Sequence, residues 1–506
     1  MDDITIIPCG EFDLSRLDAI PIQRRKSGAP GRKRKEQFLD ILTAFDIETT
    51  NYRQERVGIM YVWQWCFDGI GVIMGRTWDE WLIFVNRLNK YLGKRECKLL
   101  CMVHNLAFEF GFIKGVWDFT NDDLFMVDSR KVVKCTLNHI EMRCSYMLTN
   151  MGLDAFTHKM GVKHGKLSGV KFDYNKLRFP WTPLTDYELQ YCVNDVVGLV
   201  EAVNVQLKRD GDNFYTMPLT STGYCRRDAN KVMRKVSWNM LTDLKCTDTE
   251  FYEICREAFR GGNCHANMCM SNGVLENVHS WDRASSYPDV IINMRFPMKY
   301  FTKKVKPTLE DVEKAIARDK ALILRIAVKG LRSREMFPTC PYLSYSKCRH
   351  VPEHGLELDN GRIVAADYLE TTLTDIDFVI FLRQYCWDDV DGGLDILEMW
   401  QSRYGYLPEV YTDLVREYFR RKTALKGDDE QKLYYDLSKA LLNSLYGLMA
   451  QDPGRKTVVY NLEETEEHPT RKVGIYADER SDMFKPLQQR LDEYNKRSYL
   501  PYVWGV

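Results

Sequence analysis

Two rhythms of apolar and polar positions divide this chain. Near the start, apolar runs of strand length occupy 41–46 (ILTAFD), 57–67 (VGIMYVWQWCF) and 99–103 (LLCMV). Between the last two lies a helical stripe at 78–92, with Trp81, Val85, Leu88 and Leu92 on one face. Strand, strand, helix, strand predicts an α/β layer built on a packed mixed sheet. At 185–188 the sequence TDYE reads as a capping box, with Thr185 as N-cap and Glu188 reaching back. The helix it opens has an apolar stripe of Leu189, Val193, Val196, Val200 and Val203, and turns Tyr191 and Asp195 outward on the opposite side. From about 208 helices dominate, a strand-plus-turn region is expected around 272–290, and 305–385 mixes both types. A last helical stripe, Leu437, Leu441, Leu445 and Leu448, backs a polar face carrying Lys439, Asn443, Tyr446 and Gly447. No internal repeat or low-complexity tract is visible.

Composition narrows the class. At 506 residues, 45% hydrophobic and 12% aromatic, the chain is ordered and long enough for two to four domains. No apolar stretch approaches the roughly 18–20 residues that span a bilayer. The first ten residues, MDDITIIPCG, carry acids where a signal peptide carries bases. The 15 cysteines are scattered without a CxxC pair, as expected of reduced thiols in a cytosol. Cys340, Cys348 and His350 lack a fourth ligand at short spacing and read as ordinary side chains, not a zinc site. Lys and Arg (71) balance Asp and Glu (71), so any nucleic-acid site must rest on local charge. The densest local charge is 23–35, QRRKSGAPGRKRK, with seven basic residues in thirteen positions. It reads either as a solvated loop or as an arm that tracks phosphates by counterion release.

Candidate chemistry starts from carboxylates. Asp46 and Glu48 lie on one side of an extended chain, because strand side chains alternate with period two, and a pair of acidic oxygens at a strand end suits Mg²⁺ or Mn²⁺. Glu109, in HNLAFE after the 99–103 run, is expected at a second strand end. Asp195 and Tyr191 add a carboxylate and a phenol; by themselves they could equally be a solvated pair. Together, four carboxylates and a tyrosine make a two-metal phosphodiesterase site.

The motifs FDIETT, HNLAFEF and YCVND, in this order, resemble the three exonuclease motifs of family B DNA polymerases. That resemblance implies an RNase H-like 3′→5′ exonuclease domain, with Asp46, Glu48, Glu109 and Asp195 as metal ligands and Tyr191 orienting the attacking water. Glu109 stands where the family usually has Asp. It further implies that Asn105, Phe108, Ser145 and Tyr146 contact a single-stranded 3′ end. Lys166 falls near the family's catalytic lysine, with Lys163 and Lys171 as competitors.

Downstream, Phe259-Arg260-Gly261-Gly262 resembles the family's linker between its two activities, where Arg260 and the paired glycines would approach DNA. Trp281-Asp282-Arg283-Ala284-Ser285-Ser286-Tyr287-Pro288 matches DxxSxYP. The resemblance makes Asp282 a catalytic metal ligand at a strand end and puts Tyr287 under the incoming sugar, with Ser285 near DNA. LSKALLNSLYGLM matches the nucleotide-binding helix KxxxNSxYG, giving Lys439, Asn443 and Tyr446 to the nucleotide and Gly447 to DNA. Lys422 and Lys426, on the preceding helix, are candidates for the triphosphate. Asp282 and Lys439 are 157 residues apart, a spacing that resembles the protein-primed bacteriophage and linear-plasmid subfamily. The implied architecture is a multidomain α/β (α+β) chain. It has a basic segment at 1–40, the exonuclease domain at 41–207, and a linker with the first part of the palm at 208–295. An insertion that meets terminal protein or duplex DNA, with palm strands, follows at 296–405. The fingers take 406–449, and a second insertion with truncated palm 450–506. No YxDTD motif occurs, and 497–506 (RSYLPYVWGV) resembles the strand and start of the helix that precede it, so the polymerase centre is expected to be incomplete and the thumb missing. The implied function is viral DNA-directed DNA synthesis with 3′→5′ proofreading in a host cytoplasm. The alternatives are a stand-alone exonuclease or a non-enzymatic remnant that binds DNA or terminal protein. Two-metal Mg²⁺ or Mn²⁺ sites, primer-template DNA, single-stranded 3′ ends, dNTPs, a protein primer and a separate chain carrying the missing palm and thumb are the implied cofactors and partners.

Overall fold

The computed structural model describes residues 4–23, 37–52, 55, 57–128, 130–167, 173, 176–336, 338–388, 392–427, 431–461, 473–477, 479 and 483–506. Most of the basic run at 23–35 and Lys171 therefore lie outside the described residues. The chain forms two compact units, Met1–Tyr224 with Thr457–Phe484, and Cys225–Lys456 with Lys485–Val506.

The first unit is built on a nine-stranded mixed sheet. Its strands are β1 (Ile6–Pro8), β2 (Ile22–Gln23), β3 (Phe38–Tyr52), β4 (Val57–Phe67), β5 (Gly71–Gly75), β6 (Lys98–Val103), β7 (Leu124–Asp128), β8 (Lys131–Leu137) and β9 (Ile140–Cys144). The order is β1-β5-β4-β3-β6-β9-β8-β7, with β2 paired to β3. β3, β6 and β9 run parallel at the centre. The helices are α1 (Trp78–Lys94), α2 (Ala107–Ile113), α3 (Ser145–Thr149), α4 (Leu153–Met160) and α5 (Asp186–Asp210). Period-two alternation decides what each face of β3 meets. Ile41, Phe45 and Ile47 join one core with Trp81, Val85 and Leu88 of α1, whereas Leu42 and Ala44 join another with Val193, Val196 and Val200 of α5. Asp46 and Glu48 continue the α5 face. At roughly 25 cal/mol per Å² of apolar surface, these two cores supply the main driving force for the unit.

Several expectations are corrected here. The segment before residue 41 is not merely a basic arm, because β1 pairs with β5 and β2 with β3. β3 does not end at Asp46; it continues to Tyr52, with a register shift between Glu48 and Thr49. Part of the expected second insertion packs with the first unit. A hairpin, Val458–Asn461 with Val473–Tyr476, places Tyr460 in the α1-side core against Phe110, and the Tyr460 amide donates to Asn121 Oδ1.

The second unit carries an antiparallel sheet of β10 (Phe296–Pro297), β11 (Thr302–Lys303), β12 (Lys320–Ser333), β13 (Cys348–Arg349), β14 (Glu357–Asp359), β15 (Arg362–Thr374), β16 (Tyr385–Cys386) and β17 (Leu394–Gly405). The long strands β17, β12 and β15 are adjacent. Its helices are α6 (Ser221–Met233, beginning at the unit boundary), α7 (Trp238–Asp243), α8 (Thr249–Ala258), α9 (Ser286–Asn293), α10 (Leu309–Ala317), α11 (Asp375–Gln384), α12 (Glu409–Ala424), α13 (Lys432–Met449) and α14 (Leu487–Arg497). α12 and α13 are locked by the Tyr411 hydroxyl donating to the Leu445 carbonyl at 2.9 Å inside the core. Of the strand-plus-turn region expected around 272–290, the turn forms but no strand does among the described residues: Trp281 is 92% exposed and α9 starts directly from the turn. A lone extended segment has no partner for its backbone groups, so it gains nothing by forming a strand. The segment 497–506 likewise forms a buried 3-10 turn at Tyr502–Trp504, not a strand, because its aromatics pack into the helical core.

Candidate active sites

Asp46, Glu48 and Asp195 offer carboxylate oxygens that all lie within 4.8 Å of one another. β3 supplies the first two from alternate positions and α5 the third from its third turn. The helix start is fixed as expected: Thr185 accepts from the Glu188 amide while Glu188 accepts from the Thr185 amide. Tyr191 and Asp195, however, do not face solvent. They are buried, at 4% and 6% exposure, because the 163–166 segment covers the helix face opposite its apolar stripe. Glu109 is buried in the first turn of α2, not at a strand end, and shares a hydrogen bond with Asp46.

This crowding governs the electrostatics. Burial, and then the neighbouring charge of Asp195, pushes the Asp46 carboxyl up to about 7. Burial and the charges of Asp46 and Asp195 likewise hold Glu48 well above the carboxylate range, and burial with Asp46 does so for Glu109. Glu109 Oε2 and Asp195 Oδ1 are buried without a hydrogen-bond partner. Carboxyl oxygens crowded together without donors are costly to ionise unless a cation joins them, so this donor set fits oxygen-loving divalent ions. Among the described residues this is the one cluster of three His, Cys, Asp or Glu close enough to hold an ion; Cys340, Cys348 and His350 form no such group.

Lys166 reaches the cluster, with Nζ 3.1 Å from Asp195 Oδ2 and 5.5 Å from the centre of the Tyr191 ring. Asn105, in the left-handed region at φ 65°, and Phe108 and Tyr146, at 44% and 41% exposure, remain open to a ligand. Ser145 does not. It is fully buried, its hydroxyl donates to the Val103 carbonyl, and it lies 2.9 Å from His104 Nδ1, so it braces the loop after β6 in place of the expected DNA contact. Gln64, which donates to Asp46 Oδ2 at 2.8 Å, was not signalled by any motif; only the β3–β4 pairing puts it opposite Asp46.

In the second unit, Lys422 Nζ donates to Ser285 Oγ at 2.8 Å, and burial with the charges of Lys426 and Lys439 lowers its affinity for a proton. Three cations therefore gather beside the N-terminus of α9. Tyr287 and Tyr446 stack on one another at 4.2 Å and 22°. Lys439, Asn443 and Gly447 are exposed along α13 as expected. A Cβ added at Gly447 or Gly261 would meet nothing within 4 Å, and at Gly262 would come 3.6 Å from the Tyr287 hydroxyl. Arg260 is engaged internally: its guanidinium donates to the carbonyls of Ala258 and Thr372 and to Thr371 Oγ1, so it ties the linker to β15. Asp282 is exposed on the segment before α9.

Residues 169–485 match the family described as DNA polymerase type B, organellar and viral. The chain belongs to that family. It is accordingly a DNA-directed DNA polymerase homologue of the nucleotidyltransferase class. The matched span contains Tyr191, Asp195, Asp282 and Lys439 but not Asp46, Glu48 or Glu109. Among solved structures, the fold is similar to Phi29 DNA polymerase complexed with primer-template DNA (TM-score 0.61, 16% identity, 89% of this chain and 75% of that one). It is also similar to the same polymerase with primer-template DNA and incoming nucleotides (0.60, 14%, 90% and 75%) and with single-stranded DNA (0.56, 15%, 90% and 75%). At such identities the likeness is one of fold. No curated protein matches the sequence. No helix among the described residues is long and apolar enough to cross a membrane.

Proposed function

We propose that the first unit is a 3′→5′ exonuclease serving a viral DNA polymerase. The observation that carries this reading is the convergence of Asp46, Glu48 and Asp195 within 4.8 Å, with Glu109 bonded to Asp46 behind them. These four carboxylates would hold two divalent ions, Mg²⁺ or Mn²⁺, which when bound activate a water and stabilise the leaving 3′ oxygen. The chain's own residues do the rest. Lys166 sets a positive charge against Asp195 and beside the Tyr191 ring, whose phenol would orient the attacking water. Asn105, Phe108 and Tyr146 receive the single-stranded end, where stacking contributes roughly 1–3 kcal/mol per base.

In the second unit, Lys422, Lys426 and Lys439 would neutralise a triphosphate, Asn443 and Tyr446 would contact the nucleotide, and Asp282 would be one metal ligand. Tyr287 would gate the sugar. The open space at Gly261 and Gly447 supports close approach of DNA, since protein packing does not require glycine there. The spacing from Asp282 to Lys439 supports a protein-primed enzyme whose 296–405 sheet contacts a terminal protein or duplex DNA, acting in host cytoplasm. A second reading, in which degradation is this chain's principal activity, is favoured by one fact: among the described residues the sole cluster fit for an ion is the first unit's.

The test is degradation of a 5′-labelled single-stranded oligonucleotide with Mg²⁺ or Mn²⁺, alongside primer extension with dNTPs. Stepwise shortening from the 3′ end, abolished by combining Asp46→Ala with Asp195→Ala, is expected. Equal degradation by wild type and that double variant would sink the exonuclease, whereas shortening without extension would select the second reading.

A further inference from the structure

Lys166 hangs on a short connection after α4, and something must hold that connection still if the ammonium is to stay beside Asp195. The fixture is α5 itself. Glu201 grips His164 with both oxygens: Oε2 accepts from the His164 amide at 3.1 Å, and Oε1 lies 2.7 Å from the ring Nδ1. About two turns earlier, Asn194 Nδ2 donates to the Gly165 carbonyl at 3.0 Å. Between them Gly198 lets the backbone come so close that an added Cβ would stand 2.2 Å from the His164 carbonyl oxygen. At about 100° per residue, positions 201, 194, 198, 191 and 195 fall in one continuous arc of the helix, away from its Val193–Val196–Val200 core stripe.

We propose that Glu201, His164, Asn194 and Gly198 form a positioning set that fixes Lys166 against Asp195. This deepens the exonuclease reading and rests on it. A single rigid helix carries the ligand Asp195, the phenol of Tyr191 and the clamp for the lysine, so their mutual geometry is set within one element. The clamp's hydrogen bonds go to the His164 amide and ring and the Gly165 carbonyl, not to the side chains of the carboxylate cluster or of the exposed Asn105, Phe108 and Tyr146. Its loss should therefore impair turnover and leave DNA binding intact.

The experiment uses the full chain, with kcat and KM for a single-stranded oligonucleotide in Mn²⁺, for Glu201→Ala, Glu201→Gln, Lys166→Ala and the double variant Lys166→Ala with Glu201→Ala. Glu201→Ala is expected to lower kcat by roughly 10–100-fold, as loss of groups that orient metal-site residues does, with KM unchanged. Glu201→Gln, which can still accept from the His164 amide, should recover most of that loss. The double variant should be no slower than Lys166→Ala alone, because a clamp has nothing to position once the lysine is gone. Independently of activity, hydrogen exchange across 161–167 in EDTA should quicken at least about tenfold in Glu201→Ala and stay unchanged in Lys166→Ala. His164→Gln, which retains the backbone contacts, replaces Glu201→Ala in every arm if the latter fails to fold. Additive losses in the double variant, a Glu201→Ala rate within twofold of wild type, or unaltered exchange would overturn the proposal while Asp46→Ala remains inactive. Full activity of Asp46→Ala would instead overturn the exonuclease reading, and this inference with it.

Discussion

Replacing Asp46 by Asn should strengthen the apo protein while destroying its proposed nuclease. Asp46 sits within 4.8 Å of carboxylate oxygens on both Glu48 and Asp195. At that separation and an effective dielectric of ~20, two full charges repel by about 3 to 4 kcal/mol. Burial and Asp195 raise the Asp46 carboxyl to about 7, so at pH 7 it is only about half ionised and the relief on substitution is about 2 kcal/mol, rising to about 3 kcal/mol at pH 8. Asn retains an oxygen for the Gln64 amide, which donates to Asp46 Oδ2 at 2.8 Å, so no buried partner is stranded. A carboxyl whose folded value is raised weakens the fold progressively as pH climbs from 3.8 toward 7. The variant's advantage should accordingly be absent at pH 4 and complete by pH 8. Thermal unfolding in EDTA at pH 8 reads the effect, about 2–4 °C per kcal/mol for a unit of this size. Added Mn²⁺ should then stabilise wild type by RT ln(1 + [L]/Kd), about 2.7 kcal/mol at a hundredfold excess over Kd, and the variant by much less. A variant less stable than wild type in EDTA, or an equal gain from Mn²⁺, would refute the view that these oxygens are crowded in anticipation of a cation.

Two further predictions concern the frame around the sites. Glu188 is buried at 5% exposure; although burial alone would raise it, the Thr185 amide, Arg178 and Lys176 hold its carboxyl down at about 2. A depressed carboxyl contributes stability above its unfolded value and loses it as pH falls. Glu188→Gln should thus cost up to about 3 kcal/mol at pH 7 in denaturant titrations, with the gap from wild type closing between pH 5 and pH 2; a constant gap would refute it. Tyr460, 3% exposed, anchors the hairpin in the first unit's core, yet its hydroxyl is buried without a partner. Tyr460→Ala should unseat the hairpin at a cost of about 3–5 kcal/mol, seen as faster hydrogen exchange over 457–461, while Tyr460→Phe is neutral or stabilising.

What could be read from the sequence follows the range of the physics involved. Period two was enough to put Asp46 and Glu48 on one side of β3, and the 3.6-residue period with its capping box was enough to start α5 and choose its core stripe. Both are local rules. Gln64 escaped because its place opposite Asp46 depends on strand register, which no single strand encodes. The outward orientation expected for Tyr191 and Asp195 failed for a related reason. An apolar stripe tells which face of a helix meets its own sheet, but not that another segment will cover the remainder. Here the cover is the 163–166 connection, which has no motif of its own. It is recognisable only from what α5 offers it: a carboxylate, an amide and a missing side chain in one arc. The same limit applied to Asp282, whose expected strand required a neighbour to pair with, and to the hairpin around Tyr460, whose allegiance to the first unit is fixed by a buried ring and a backbone bond to Asn121. Motifs thus identified the groups that carry charge, while the neutral contacts that desolvate and orient those groups arise from pairings between distant segments. In this chain those contacts bury Glu109 and Asp195 and half-bury Asp46 and Glu48, and burial is the first cause of the upward carboxyl shifts that a bound cation would relieve.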